Sequence, residues 1–132
     1  ETRTGALMVF RRISSMENII ETGDKVDSII NRRLIENIFW KNTPLHDGAM
    51  IVDNNRIVAA RCTLPISQNL ELPPQYGLRH RAAASVTSET DAFAIVVSEE
   101  TGNISFVVDG TIRTVTSLSE LKLSIESAYN EA

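Results

Sequence analysis

The chain has 132 residues, 42% of them apolar, with a single cysteine and a formal net charge of −4. Its length suffices for the core of one domain, taken here as residues 1–132, and its negative charge excludes the broad basic face that nucleic-acid binding needs. One cysteine excludes an internal disulfide, and no apolar run reaches the eighteen or so residues of a membrane-spanning helix.

In chain order, Glu1-Thr2-Arg3-Thr4 has neither an initiator methionine nor a signal-peptide pattern, so the chain is expected to be a soluble piece of something longer. Gly5-Ala6-Leu7-Met8-Val9-Phe10 is short and apolar and predicts a buried strand, with Arg11-Arg12 marking its exit. Ser14 and Glu17 have the spacing of a capping box, which predicts a short helix from Met16 to about Glu21, ended near Gly23. Asp27 or Ser28 is expected to cap a second helix whose apolar stripe is Ile30, Leu34, Ile35, Ile38 and Phe39, closed by Trp40 and Lys41 and ended by Pro44. A residue before proline avoids the α region, so His46-Asp47-Gly48 should begin on an extended loop.

Ala49–Val52 and Arg56–Cys62 are strand-like runs joined through Asp53-Asn54-Asn55, residues that tolerate the left-handed conformations of a tight hairpin. Cys62, beside Val58, Ala59 and Ala60, reads as a buried small hydrophobe rather than a nucleophile. After Pro65, the stretch from Ser67 to Gly77 carries Pro73 and Pro74 and predicts a surface loop of the kind that borders a site. Leu78 to about Ser88 is expected to be helical, with Ala82, Ala83 and Ala84 allowing close packing. Phe93–Val97 and Ile104–Val108 are strands on either side of a Glu99-Glu100-Thr101-Gly102 turn. Asp109-Gly110 is a turn into a further strand, Ile112–Val115, and Ser117 with Glu120 is a capping box opening a last helix to about Tyr129. The sum is an α/β (α+β) fold with a central mixed twisted sheet of about six or seven strands flanked by helices.

Two strings carry the chemistry. Asp47-Gly48 combines a carboxylate, able to bind a metal or accept a bond from a sugar hydroxyl, with a glycine that lets a ligand approach the backbone; its spacing alone leaves a turn and a ligand site equally open. Arg79-His80-Arg81 falls where a loop becomes a helix, so free backbone N–H groups, the helix dipole and two guanidinium forks favour an anion. Within a helix, side chains two apart diverge by roughly 200°, so both arginines reach one ligand only at the helix mouth, and otherwise one of them is structural. The plainer alternative is a solvated basic turn paired with Glu71 or Glu89. No P-loop, dinucleotide fingerprint, zincin motif or paired C-x-x-C is present, and an oxygen-ligated hard cation, Mg²⁺ or Mn²⁺, suits the residues better than zinc.

Asp47-Gly48-Ala49, Arg79-His80-Arg81, Asn42-Thr43-Pro44-Leu45-His46 and Val97-Ser98-Glu99-Glu100-Thr101-Gly102, in this order and separation, make the sequence resemble a diadenylate cyclase domain of the membrane-associated bacterial kind (CdaA type) from about Gly5 to Glu120. The resemblance implies condensation of two ATP molecules into cyclic di-AMP with release of two pyrophosphates. Each subunit of a face-to-face homodimer holds one ATP. It implies Asp47 beside the ribose 3′-hydroxyl and a metal, Gly48 and Ala49 lining the nucleotide, and Arg79, His80 and Arg81 on the triphosphate. Thr63 and Leu64 match adenine-side positions, Ser98 and Glu100 phosphate- or metal-side ones, and His46 a metal neighbour. Leu78 stands where many relatives carry Thr, and Thr63 where many carry Tyr. It further implies membrane helices elsewhere in the full-length protein, a place at the cytoplasmic face of the bacterial cell membrane, and room for a regulatory protein partner. A non-catalytic module that binds ATP or cyclic di-AMP is the alternative.

Overall fold

The strands that build the middle of the molecule are apolar on both faces because both faces are covered. In the computed structural model, which describes residues 4–67 and 71–130, the strands are β1 (Ala6–Phe10), β2 (Asp24–Ile29), β3 (Ala49–Asp53), β4 (Arg56–Cys62), β5 (Phe93–Val97), β6 (Ile104–Val108) and β7 (Thr111–Val115). They form one 7-stranded sheet in the order β2-β4-β3-β1-β5-β6-β7. β1 and β3 are parallel, and the other described pairings are antiparallel, so the sheet is mixed as expected.

The pleat sorts side chains between two cores. Leu7, Val9, Ala49, Ile51, Ala94 and Val96 face one side, where α3 (Leu78–Glu89) lays Ala82, Ala83, Ala84 and Val86 against them and α1 (Glu17–Ile20) adds Ile19 and Ile20. Ala6, Met50, Val52 and Ile57 face the other, under Ile38 and Phe39 of α2 (Arg32–Ile38) and its C-cap. Farther along that face, Phe93 stacks on Phe10 with ring centroids 4.8 Å apart, and α4 (Leu118–Asn130) contributes Leu121, Ile125 and Ala128. The run of alanines in α3 brings the helix close to the sheet, which matters because the helix mouth is part of the site.

Two of the hairpin turns follow their residues. Asn54 and Asn55 have φ of 55° and 62°, and Asp109 and Gly110 of 52° and 75°, the paired left-handed values of two-residue turns. Four expectations need correction. Asp24–Ile29 is an edge strand rather than the lead-in to a helix. The second helix starts at Arg32, with Asn31 Oδ1 accepting from Leu34 N at 3.1 Å, so neither Asp27 nor Ser28 caps it. Ser14 does not cap α1: its Oγ accepts from Asp91 N at 3.2 Å, while Asp91 in turn receives Ile13 N and Ser14 N. Arg11 is more than an exit marker, since its guanidinium ties Asp53 at 2.9 Å to the Ile13 and Ser14 carbonyls. The Ser117 cap does form, with Oγ accepting from Glu120 N at 3.1 Å, but the Glu120 carboxylate returns to Thr116 N rather than to the cap residue. Residues 68–70 of the expected surface loop, like Glu1-Thr2-Arg3, lie outside the described residues.

Candidate functional site

Topology gathers the unusual strings at one end of the sheet. β1 and β3 run parallel, so Gly5 and Asp47-Gly48 enter at the same end. β4 and β5 run against them, so Cys62-Thr63 and Val97-Ser98 leave there, and α3 opens beside them at Gly77.

The knot before β3 is built by Thr43. Held extended at φ −95°, ψ 149° ahead of Pro44, it accepts Leu45 N on its Oγ1 at 3.2 Å and so starts a single 3-10 turn, Pro44–His46, where an extended loop was expected. The Thr43 carbonyl lies 2.9 Å from His46 Nδ1. A carbonyl can only accept, so Nδ1 carries a proton. Asp47 is extended and exposed, and among the described residues its carboxylate has no ion-pair or hydrogen-bond partner. Gly48 follows at φ 81°, and a Cβ there would lie 2.6 Å from the Cys62 carbonyl oxygen. Its glycine is therefore demanded by the left-handed turn and the close pass of β4, in addition to any ligand. Opposite, Arg61 sits at φ 58° where the β3–β4 register slips.

Three adjoining concavities meet at Asp47. One, of about 330 Å³, is lined among others by Asp47, Leu78, Arg79, His80, Glu99 and Glu100. A second, of about 260 Å³, is largely apolar, with Leu7, Ala49, Leu64, Ile66, Leu78 and Ala82 among its walls; Arg79 and Thr63 border it. The third, of about 420 Å³, lies on the far side of Asp47 between His46, Arg61 and Thr63. Asp47, Leu78 and Arg79 belong to both of the first two. The site thus offers an apolar chamber opening onto a polar one.

The polar chamber is furnished for an anion. Gly77 has no side chain to cap α3, so among the described residues the first N–H groups of the helix take no side-chain cap and remain available to an anion. Arg79 Nη1 is 3.5 Å from Glu99 Oε1, and Arg79 Nε is buried without a hydrogen-bond partner. His80 packs its ring on Tyr76, centroids 5.1 Å apart, and burial, helped by the Arg79 charge, holds its pKa below the ordinary 6.5. Ser98 Oγ accepts from Glu100 N and Thr101 N, shaping the turn and leaving its own proton for a further acceptor. Arg81 turns elsewhere, donating to Tyr76 O at 3.1 Å and Pro73 O at 3.4 Å, so it pins the loop that walls the chamber. Neither arginine pairs with Glu71 or Glu89 in the way a bare basic turn would.

Asp47 and Glu100 line the same chamber, whereas His46 lines the neighbouring one. Among the described residues no three His, Cys, Asp or Glu side chains converge into a protein cage. Two carboxylates beside space for phosphate oxygens still form a donor set that fits a divalent hard cation, which is commonly held through one or two carboxylates plus substrate. Cys62 is fully buried, with its thiol pushed up to about 11 by burial and by the Asp24 charge, and takes no nucleophilic part.

Sequence reasoning passed over Gly5, Tyr76 and the loop carbonyls that Arg81 holds. Gly5 and Arg79 meet only once β1 and α3 are placed, whereas Tyr76 and His80 lie four residues apart and meet where the loop turns into α3.

The family model described as DisA bacterial checkpoint controller nucleotide-binding (DAC) matches residues 1–112. Cyclic di-AMP synthase CdaA of Bacillus subtilis is 40% identical over 129 residues, covering 98% of this chain and 47% of that protein. Diadenylate cyclase CdaS of Bacillus thuringiensis is 43% identical over 111 residues, 84% of this chain and 55% of its own. The chain spans about half the length of these curated relatives. The crystal structure of DacA from Staphylococcus aureus, an N166C/T172C double mutant, superposes with a TM-score of 0.92 at 40% identity, over 98% of this chain and 86% of that one.

Proposed function

The chain belongs to the DAC family of nucleotide-binding domains, and from that premise we propose that it is a diadenylate cyclase, condensing two ATP molecules into cyclic di-AMP with release of two pyrophosphates. The observation that carries this reading is the shared boundary: Asp47 and Arg79 each line both the apolar chamber and the polar chamber at the open helix mouth. A nucleotide has the same division. Its base suits the apolar walls around Leu64, Ile66 and Leu78, its triphosphate suits the N–H groups of α3 with Arg79, and its ribose then falls beside Asp47.

In each transfer the 3′-hydroxyl oxygen of one nucleotide forms a bond to the α-phosphorus of the other, the bond to the β-phosphate oxygen breaks, and pyrophosphate leaves. Asp47 accepts a hydrogen bond from the attacking hydroxyl and takes its proton as the new bond to phosphorus forms. Arg79 and the helix N–H groups stabilise charge building on the departing pyrophosphate. His80, neutral at pH 7, can donate one ring N–H to a phosphate oxygen. Ser98 offers its hydroxyl proton, and Arg81 serves by keeping the Pro73–Tyr76 wall in place. Asp47 and Glu100, together with phosphate oxygens, would hold Mg²⁺ or Mn²⁺, with His46 as a neighbour lining the adjoining chamber; a bound ion would neutralise phosphate charge. Gly48 and Ala49 shape the floor, and Thr63 with Leu64 the base-side wall.

Among the described residues one such pair of chambers is present, while cyclic di-AMP has two equivalent linkages, which supports two copies acting face to face. Resemblance to the membrane-associated kind supports membrane association of the full-length protein, at the cytoplasmic face in this reading. Among the described residues no helix is long and apolar enough to cross one. The test is incubation with ATP and either metal, followed by chromatographic identification of products. Cyclic di-AMP and pyrophosphate in a 1:2 ratio support the reading; nucleotide retained on the protein with no pyrophosphate released supports a binding module instead.

A further inference from the structure

We infer that Gly5 is a positioning residue for Arg79: its missing side chain is the slot in which the Arg79 guanidinium lies. Gly5 is buried immediately before β1, at the end of the sheet where the two chambers open. A Cβ built on it would lie 2.6 Å from Arg79 Nη1 and 2.8 Å from Arg79 Cζ, with Glu99 Cβ at 3.2 Å on the other side. Real Cβ atoms do not approach other atoms so closely, so any side chain at position 5 evicts the guanidinium.

The glycine is not there for its backbone. Gly48, Gly102 and Gly110 hold positive φ, and Gly5 is absent from that group. What an alanine would meet is the far end of a flexible side chain, which can move at small cost to the fold, and the Cβ of Glu99, which needs to yield only slightly. The consequence falls on Arg79. In its slot, Arg79 keeps Nε buried without a hydrogen-bond partner, and its Nη1 at the outer limit of a pair with Glu99. A buried donor without a partner is costly, and the arrangement persists because packing against Gly5 and Glu99 dictates it. The guanidinium is therefore fixed before any ligand arrives, with donor capacity still unspent. Gly5 and Arg79 are far apart in sequence, and only the placement of α3 over β1 brings them together.

The inference rests on the reading that Arg79 serves the triphosphate, and the experiment separates the two. Gly5→Ala is made in the parent chain and in an Arg79→Ala chain. Each is followed by thermal melting, by pyrophosphate release from ATP with Mg²⁺ or Mn²⁺, and by phenylglyoxal modification of arginines mapped by peptide mass spectrometry. In the parent background Gly5→Ala should raise modification of Arg79 relative to the exposed Arg61. It should also lower pyrophosphate release by about tenfold or more, the scale on which ångström misplacement acts. In the Arg79→Ala background it should lower release no further. Unchanged Arg79 modification, or an equal fall in both backgrounds, overturns the inference. If Gly5→Ala alone fails to fold, the double variant must fold because the collision is gone; an unfolded double variant also overturns it. If the parent chain releases no pyrophosphate, the proposed activity fails, while the modification ratio still decides the role of Gly5.

Discussion

Arg79 and Glu99 are paired at 3.5 Å, the far limit of a hydrogen bond, although both stand at the wall of the same chamber. A fork with five donors that makes one long contact, and keeps Nε buried and unpaired, has capacity left for an incoming anion. A phosphate oxygen would complete it. Arg79→Lys keeps the charge but loses the planar fork, and it should lower pyrophosphate release by about 10²-fold, the cost of one transition-state donor. Steady-state release assays on Arg79→Lys and Arg79→Ala check this; a lysine variant as active as the parent speaks against bidentate contact.

Arg81 predicts a different signature. Its two bonds to the Tyr76 and Pro73 carbonyls hold a wall rather than a reacting atom. Arg81→Ala should therefore destabilise the fold by about 1–3 kcal/mol and raise KM for ATP more than it lowers kcat. A melting curve and a full kinetic profile separate this from Arg79, whose loss should fall mainly on kcat.

His80 makes the stability depend on pH with a definite sign. Burial, with the Arg79 charge second, lowers its pKa in the folded chain below 6.5, so in that window the unfolded chain binds the proton more readily. The contribution is intact above pH 6.5 and is lost as the pH falls through the window toward the lowered folded value. Melting temperature should drop between pH 7 and pH 5 in the parent chain, and drop less in His80→Gln. Parallel curves for the two proteins contradict the assignment.

Cys62 should be inert in the native state. Fully buried and pushed up to about 11, its thiol is neither accessible nor ionised near neutral pH. Ellman's reagent should react only as fast as the fold opens, and Cys62→Ala should retain product formation. Rapid labelling of the native chain would place Cys62 at the surface.

Much of this was legible from local pattern. β1, β3 and β5 are covered on both faces, so they read as nearly unbroken apolar runs, and the Asn54-Asn55 and Asp109-Gly110 turns announced themselves through residues that accept positive φ. Edge strand β2 was lost because Asp24-Lys25-Val26-Asp27-Ser28-Ile29 is mostly exposed and bulged at Asp27, and a strand with two acids and a serine resembles a helix cap when read alone. Ser14 was misread for the opposite reason: its partner, Asp91, is 77 residues away. The same limit governs the site. Asp47 and Arg79 stand out by composition, but that one arginine of the pair faces the chamber while the other braces a loop depends on where α3 meets the sheet, and the space at Gly5 exists only in three dimensions.

The central claim is that Asp47 acts where two nucleotides held by facing copies meet. The most direct measurement is the rate of cyclic di-AMP formation from ATP across a dilution series of the parent chain, with Asp47→Asn run alongside and its fold verified by melting. The account predicts that rate per mole of protein falls on dilution as dimers become scarce, and that Asp47→Asn, whose carboxylate has no partner to lose among the described residues, stays folded and makes no product. Product from folded Asp47→Asn at the parent rate, or tight ATP binding by the parent with no pyrophosphate released at any protein concentration, would contradict it.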